Sequence, residues 1–487
     1  MPRLHSRKWS NFSAVGTDRP LCILFTSSRV RTCDARVYGS SKEAMIRRPL
    51  GIDLFSGAGG LSLGFEQAGF DVAAAVEIDP IHAAIHKFNF PECTVIPKSV
   101  IGLSGRDIRR FADIEERTVE VVFGGAPCQG FSLIGQRVLD DPRNALVREF
   151  VRIVHELNAS YFVFENVKGL TVGRHKRFLD ELIGAFRTVG YRVHLPWRVL
   201  NACSYGVPQD RERLFLLGAK EGLPLPDYPD FTTRPTGSKA SLFDLPQGPS
   251  CRDALGDLPD IEKFPQLFES DSIITDKWGD PSDYARELRC IQPSAWHYGY
   301  KRQWQPNLLT SSMRTVHTEI SRRRFAETDS GGVEPISRFF KLAGNGISNT
   351  LRAGTDSARG AFTSPRPIHY KHARCITVRE MARLHGFPDW FRFHETKWHG
   401  ARQIGNAVAP PVGRAIAIEV RKILGVKPAK PTKVLDLGDP VLLRMGMSQA
   451  AEYWGIPVSI GRRDRRSGIK KRRQEEIEAI RLAAVGG

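Results

Sequence analysis

The sequence predicts an α/β fold built on a doubly wound, mostly parallel sheet, and three stretches carry that expectation. Residues 51–60, GIDLFSGAGG, read as an apolar strand running into a glycine-rich turn, and Leu61, Leu63, Phe65 and Ala68 then lie on a short helix closed by Gly69. A second apolar strand, Val72 to Val76, ends in Glu77-Ile-Asp-Pro80. A third, with Val119, Val121, Val122 and Phe123, runs into Gly124-Gly-Ala-Pro-Cys-Gln-Gly-Phe-Ser132. Strands that are apolar throughout and alternate with helices suit a parallel sheet covered on both faces. Turns at the carboxyl ends of such strands are where ligands bind.

The first turn bears on the ligand. A strand, a glycine turn and a helix let backbone approach a small molecule and offer free N–H groups at the helix start. On its own the pattern fits a tight βα turn with no ligand equally well. Glu77 ends the second strand about twenty residues beyond the glycines, where a carboxylate suits the two hydroxyls of a ribose; a plain surface carboxylate is the alternative. No Gly-x-Gly-x-x-Gly stands in this turn, and Phe55 occupies the place where a pyrophosphate would demand close backbone approach. An aromatic ring there packs against a flat heterocycle such as adenine. The expected ligand is an adenosine lacking phosphates, which points to S-adenosyl-L-methionine.

Cys128, on a tight turn after an apolar strand, is poised as a nucleophile. The plainer reading is a small buried hydrophobe, the usual state of an intracellular cysteine. Glu165 ends the strand Tyr161-Phe-Val-Phe164, and read alone it is a carboxylate capping the next helix. Gln209-Asp-Arg-Glu-Arg213 read alone is a solvated charged face.

Taken in order, the blocks Asp53–Gly60, Glu77, Pro127-Cys-Gln129, Glu165-Asn-Val167, Gln209–Arg213 and Gln403-Ile-Gly-Asn-Ala-Val408 make the chain resemble the C5-cytosine-specific DNA methyltransferases. With Asn201–Pro208 and Thr377–Leu384, they cover most of residues 50–220 and 340–420. The resemblance implies a class I methyltransferase sheet with an irregular target-recognition domain inserted late. It also implies a target cytosine flipped out of double-stranded DNA, because C6 within a stack is closed to a thiol. C6 is a poor electrophile, so a thiolate must add there before the neighbouring C5 can take a methyl group from S-adenosyl-L-methionine. By resemblance Cys128 makes that attack, Glu165 holds or protonates ring N3, Arg213 reaches the cytosine O2, and Arg211 supports the cysteine loop or a phosphate. Phe55, Gly57 and Gly59 would line the cofactor turn, and Glu77 would hold the ribose. Asp107 and Ile108 would meet adenine, although Arg106 interrupts the family's Gly-Asp-Ile at that point. Pro127 and Leu146 would wall the pocket and Asn406 would close it, which requires the C-terminal part of the core to fold back beside the first helix. Gln129 joins the residues expected to contact DNA.

The expected organisation is a basic N-terminal extension (1–47), a first catalytic and cofactor-binding part (48–222), a target-recognition domain (223–343), a returning catalytic part (344–426) and a basic appendage (427–487). Between 218 and 341 the βα rhythm lapses, and Trp278, Trp296, His297, Tyr298, Tyr300, Lys301, Arg302 and Trp304 cluster on segments suited to a DNA groove. Arg314, His317, Arg322 and Arg323 are the candidates for DNA contact, with phosphates ahead of bases because backbone contacts predominate at such interfaces. A solvated helix face is the plain alternative for the arginine triplet. Residues Met447 to Ser459 suggest a short helix capped by Ser448 and then a glycine turn; a stray helix with a basic tail is preferred to a helix-turn-helix fragment.

The chain has 487 residues and a formal net charge of +18. That excess predicts a polyanionic partner. Residues 1–48 carry net +7 and residues 461–487 net +5, so much of the basicity belongs to the termini. No apolar run reaches the roughly 18 residues of a membrane span. The eight cysteines lack the spacing of a zinc site or disulfide framework. The first 44 residues lack the apolar core of a signal peptide, and Met45 is an alternative start. The expectation is a monomeric, metal-free enzyme in the prokaryotic cytoplasm, associated with nucleoid DNA, with a restriction endonuclease at the same site as a possible partner. Two alternatives stand beside it. One is an RNA-cytosine C5-methyltransferase, against which the large insert argues. The other is a non-catalytic DNA-binding module, against which the intact Cys128, Glu165 and glycine turn argue.

Overall fold

The computed structural model describes residues 47–127, 144–171, 175–236, 245–355 and 363–457. Cys128, Gln129 and the basic run 461–487 lie outside them. The chain runs β1 (Leu50–Leu54), α1 (Gly60–Ala68), β2 (Asp71–Val76), α2 (Pro80–Asn89), β3 (Thr94–Ile96), α3 (Gly105–Phe111), β4 (Val121–Gly124), α4 (Ala145–Glu156), β5 (Tyr161–Val167), α5 (His175–Thr188), β6 (Tyr191–Val193), β7 (Arg198–Asn201) and β8 (Glu212–Lys220). The sheet order is β3-β2-β1-β4-β5-β8-β6, with β7 also paired to β8. Strands β1 to β5 pair in parallel, while β8 lies antiparallel to β5, β6 and β7. From β1 the chain winds outward to β3, then returns to place β4 on the other side of β1. That reversal opens a crevice at the carboxyl ends of β1 and β4, the place where such sheets bind ligands.

The unbroken apolar runs are explained by two cores. Side chains alternate across a strand, so Val122, Phe162 and Phe164 face Ile108, Phe150, Phe178 and Phe186 on one side. Val121, Phe123, Tyr161 and Val163 face Leu61, Phe65, Ile416 and Val420 on the other. Stacked ring pairs bridge sheet and helix on both faces: Phe162 on Phe186 and Phe65 on Phe123, each with centroids 3.8 Å apart.

Beyond β8 the elements are short. They comprise α6 (Cys251–Leu255), β9 (Ile273–Ile274), α7 (Asp283–Leu288), β10 (Lys301–Gln303), β11 (Leu308–Leu309) and α8 (Glu319–Glu327). Then follow α9 (Val378–Leu384), α10 (Lys397–Asn406), α11 (Pro410–Ile423), β12 (Val434–Asp436) and α12 (Met447–Tyr453). Part of this interval has a small core of its own in Ile261, Phe264, Leu267 and Leu309. The rest shares a core with the sheet domain: Cys251, Ala254 and Leu255 pack with Leu63, Phe90, Met381 and Phe387. Buried arginines reinforce the junction. Arg383 is 2.9 Å from Asp257 and 2.6 Å from Asp389, and Arg302 is 2.8 Å from Glu66. Removing one partner of such a buried pair typically costs about 3–5 kcal/mol. The aromatic cluster expected to face DNA is partly spent here, because Trp296 stacks on Trp390, Arg302 lies over the Trp390 ring, and the Tyr300 hydroxyl donates to Asp71.

The returning segment reaches the first helix as expected. Gly64 permits the close crossing of α1 and α11, since a Cβ there would sit 2.6 Å from the Arg414 nitrogen and 2.8 Å from the Pro410 oxygen. Gly64→Ala should therefore pry the two helices apart and destabilise the fold by about 1–3 kcal/mol. Scanning calorimetry of the intact chain checks this, and an unchanged Tm would mean that the crossing has slack.

Residues 434–457 are packed rather than stray. Leu442, Leu443, Met445 and Ala450 share a core with Ile81, Ala84, Ile85 and Phe88 of α2, and Trp454 Nε1 donates to the Pro80 carbonyl at 3.1 Å. The helix cap is Gly446, and Ser448 sits inside the first turn of α12.

Candidate active site

A cavity of about 740 Å³ opens at the carboxyl ends of β1, β2, β4 and β5. Phe55, Gly57, Glu77, Pro127, Leu146, Glu165, Arg213 and Asn406 all line it, so the structure brings together eight of the residues singled out in the sequence. Glu77 is only 9% exposed and organises the cofactor end. Its Oε2 accepts from the Gly57 N–H and its Oε1 from the Asp79 N–H, each at 2.8 Å. Burial raises its pKa, against the opposing pull of His82 and those two N–H groups. Beneath the turn, Ser62 Oγ donates to Asp53 Oδ2 at 2.6 Å, and burial pushes the Asp53 carboxyl up to about 8.

The opposite end is set by β5 and β8. Arg213 Nε lies 3.1 Å from Glu165 Oε1. Burial raises the pKa of Glu165, with Arg213 and Arg211 pulling the other way. Gly125 lies beside it, and a Cβ there would meet Glu165 Oε2, so the carboxylate would have to shift. Asn166 then ties the turn to the sheet: its Nδ2 donates to the Ala126 carbonyl at 2.9 Å, and its Oδ1 accepts from the Val167 N–H at 2.9 Å. The two residues preceding Pro127-Cys128 are thus held against Glu165 and Asn166.

Several expected residues are elsewhere. Gly59 does not line the cavity; with φ of +101° it starts α1 in a left-handed conformation, and a side chain there would run into His86 and Phe90. Asp107 and Ile108 do not reach the cavity either, since Asp107 is spent on a capping box with Ser104 and Ile108 is fully buried in the core. Lys98, Ser99 and Val100 line that wall instead. The signal was readable: they follow the third strand directly, whereas Ser104-x-x-Asp107 is a helix-start pattern. Arg211 stays below the pocket, its guanidinium donating to the carbonyls of Leu351, Gly405 and Ala407 at 2.8–3.2 Å. It holds the end of α10, which carries Asn406, against the start of β8. His82, Ala353, Thr355 and Arg402 also line the cavity and were not anticipated.

The candidate DNA readers are mostly engaged within the chain. Arg314 and Arg322 both pair with Glu262, at 3.5 and 2.9 Å. His317 Nε2 accepts from the Cys375 N–H at 3.2 Å, and burial takes its pKa down to about 4. Arg323 is exposed, and so are the neighbouring Val316 and Ile320. Arg314, His317 and Arg322 thus each have a partner within the chain.

The cavity suits a nucleoside-bearing cofactor. Its volume falls in the range of small-ligand sites, and its lining combines the aromatic Phe55, the glycine turn at Gly57 and the strand-end carboxylate Glu77. Among the described residues no cluster of His, Cys, Asp and Glu has the arrangement of a metal site, and no helix is long and apolar enough to cross a membrane.

A parallel sheet whose switch point carries a glycine turn, a strand-end carboxylate and a buried carboxylate–arginine pair defines an S-adenosylmethionine-dependent methyltransferase. The model of the C-5 cytosine-specific DNA methylases matches residues 51–422, and the chain belongs to that family. It is 56% identical over 435 residues to the type II methyltransferase M.XorII of Xanthomonas oryzae pv. oryzae, covering 89% of this chain and 99% of that one. It is 32% identical over 381 residues to the type II methyltransferase M1.HphI of Haemophilus parahaemolyticus, covering 76% and 86%. Among solved structures, a protein assigned as a DNA modification methyltransferase in an E. coli prophage superposes with a TM-score of 0.61 at 32% identity, over 77% of this chain and 99% of that one. The chain is thus a DNA cytosine-5 methyltransferase that uses S-adenosyl-L-methionine.

Proposed function

We propose that this enzyme is a site-specific modification methyltransferase that flips its target cytosine into the cavity and attacks it through Cys128. The observation that carries the reading is the Glu165–Arg213 pair, buried in the same cavity as the Glu77 turn and next to the backbone that leads into Cys128. Cys128 Sγ forms a bond to C6. Glu165, whose pKa burial raises against the pull of Arg213 and Arg211, donates at N3 as the 5,6 double bond opens. Arg213 orients the ring through O2. S-Adenosyl-L-methionine, held by Phe55, Gly57, Glu77 and Asn406, supplies the methyl group that C5 accepts. Solvent water then takes the C5 proton, the C5–H electron pair restores the 5,6 double bond as the thiolate leaves C6, and N3 returns its proton to Glu165.

Residues 223–343 are proposed as the part that selects the site, and the type II relatives support a role beside a restriction endonuclease of the same specificity. In that role the enzyme works in the cytoplasm on chromosomal DNA. Methylation-sensitive sequencing of DNA from an expressing host tests the reading: 5-methylcytosine confined to one sequence supports it, and unmodified DNA overturns it. The basic run 461–487 is assigned to phosphate attraction. Deleting it should weaken binding of cognate and scrambled duplexes alike and reduce the salt dependence of both. A salt titration of affinity measures this; loss confined to the cognate duplex would make the run a reader of sequence.

A further inference from the structure

An extruded cytosine stays joined to its strand through two phosphodiesters, so a ring that reaches Glu165 and Arg213 brings its own phosphates to the rim above them. At that end the cavity is walled by Val167 of β5, by Arg402 of α10 and by Ala353, Gly354 and Thr355. Three cations close by are engaged. Arg213 lies 3.1 Å from Glu165, Lys168 is 2.7 Å from Glu212, and Arg402 lies over the Trp398 ring. Arg352 differs from them. It adjoins the cavity-lining Ala353, it is exposed, and its side chain has no hydrogen-bond, ion-pair or ring partner among the described residues.

The backbone beneath this side chain is fastened on several sides. Leu351 is buried in the core, its N–H donates to Gln209 Oε1 at 3.1 Å, and its carbonyl accepts from Arg211 at 3.2 Å. On the other side the chain passes Gly405 so closely that a Cβ there would lie 2.5 Å from the Arg352 carbonyl carbon and 2.3 Å from the Ala353 nitrogen. Arg211 stands two residues before Arg213, so the stem of Arg352 is tied to the strand that carries one half of the buried pair. A guanidinium on fixed backbone has little backbone freedom to lose when it takes an anion, and its paired N–H groups match the oxygens of a phosphate.

Given the base-flipping reading, on which this rests, we propose that Arg352 grips a phosphate beside the extruded cytidine. It is a positioning residue: by anchoring the strand at the rim it sets the ring against Glu165 and Arg213, and it reads no base.

The test uses the full chain and a duplex carrying the sequence methylated in an expressing host. Arg352→Ala should make the logarithmic salt slope of duplex affinity shallower by about one unit, the mark of one lost phosphate contact. Single-turnover methyl transfer at saturating duplex should fall roughly tenfold, because the ring is held less closely. Arg352→Lys should restore the slope and most of the rate, whereas Arg352→Gln should restore neither. If the alanine chain does not fold, the glutamine chain carries the same expectation, and an unchanged Kd for S-adenosylhomocysteine reports that each variant is intact. An unchanged salt slope overturns the proposal, as does a rate that lysine fails to recover. A variant that methylates new sequences overturns it too, since Arg352 would then be a reader of bases. Failure of the flipping reading has a separate signature: the unsubstituted chain would itself leave every duplex unmethylated, and the proposal would fall with it.

Discussion

Cys128→Ser is expected to abolish methylation of duplex DNA, by on the order of 10⁴-fold or more, the scale on which loss of a covalent nucleophile is felt. A serine hydroxyl carries almost no alkoxide at neutral pH, whereas a cysteine thiol near 8.5 needs only a modest shift to be largely ionised. Cofactor binding should survive, because Phe55, Gly57 and Glu77 lie just beyond the ends of β1 and β2 and owe nothing to the sulfur. Two measurements separate these effects. Labelled methyl transfer to DNA should vanish while the calorimetric Kd for the cofactor stays within about twofold. A duplex with 5-fluorocytosine at the target should form a denaturation-resistant adduct with the unsubstituted chain and none with the variant. Methylation near the unsubstituted rate would remove Cys128 from the reaction, and failure of both chains to form the adduct would remove covalent catalysis.

What the sequence made legible was the chemistry that hangs on strand ends. Phe55, Glu77, Pro127 and Glu165 each follow an apolar run long enough to identify a buried strand, and a parallel sheet sends all such ends to one edge. Asn406 was placed by motif and family resemblance, and the structure supplies the cause in the tight α1–α11 crossing at Gly64. The partners of other polar residues were less legible. Arg211 was placed by resemblance and Arg314, His317 and Arg322 by residue type, but the partners of these four lie across the fold rather than along the chain, whereas Asp107, placed by resemblance, has a local partner. Asp107 is claimed by Ser104, Arg211 by three carbonyls from 351–407, Arg314 and Arg322 by Glu262, and His317 by the Cys375 N–H. Glu262 lies 52 and 60 residues from its two arginines, and no local pattern announces a pairing at that distance.

Glu165→Gln should slow methyl transfer by roughly 10²–10⁴-fold, the range in which a general acid contributes. The amide keeps the shape of the carboxyl and can still hydrogen-bond to N3, but it has no proton to release as negative charge grows on the ring. The effect depends on the acid being protonated, which burial favours and the guanidinium of Arg213, 3.1 Å away, opposes. Full protonation is therefore not needed at rest; a stacked base entering the cavity would displace water and tilt the balance further toward the neutral acid. A second substitution separates the proton from its placement. Gly125→Ala leaves Glu165 chemically intact but drives a methyl group into Oε2, so it should lower the rate by moving the acid while leaving the cofactor Kd nearly unchanged. Single-turnover transfer to a cognate duplex, with cofactor affinity measured alongside, distinguishes the possibilities. A slow Glu165→Gln variant beside an unimpaired Gly125→Ala variant would show that the carboxyl's position is not tightly set. A Glu165→Gln variant defective mainly in cofactor binding would place this carboxylate at the wrong end of the cavity.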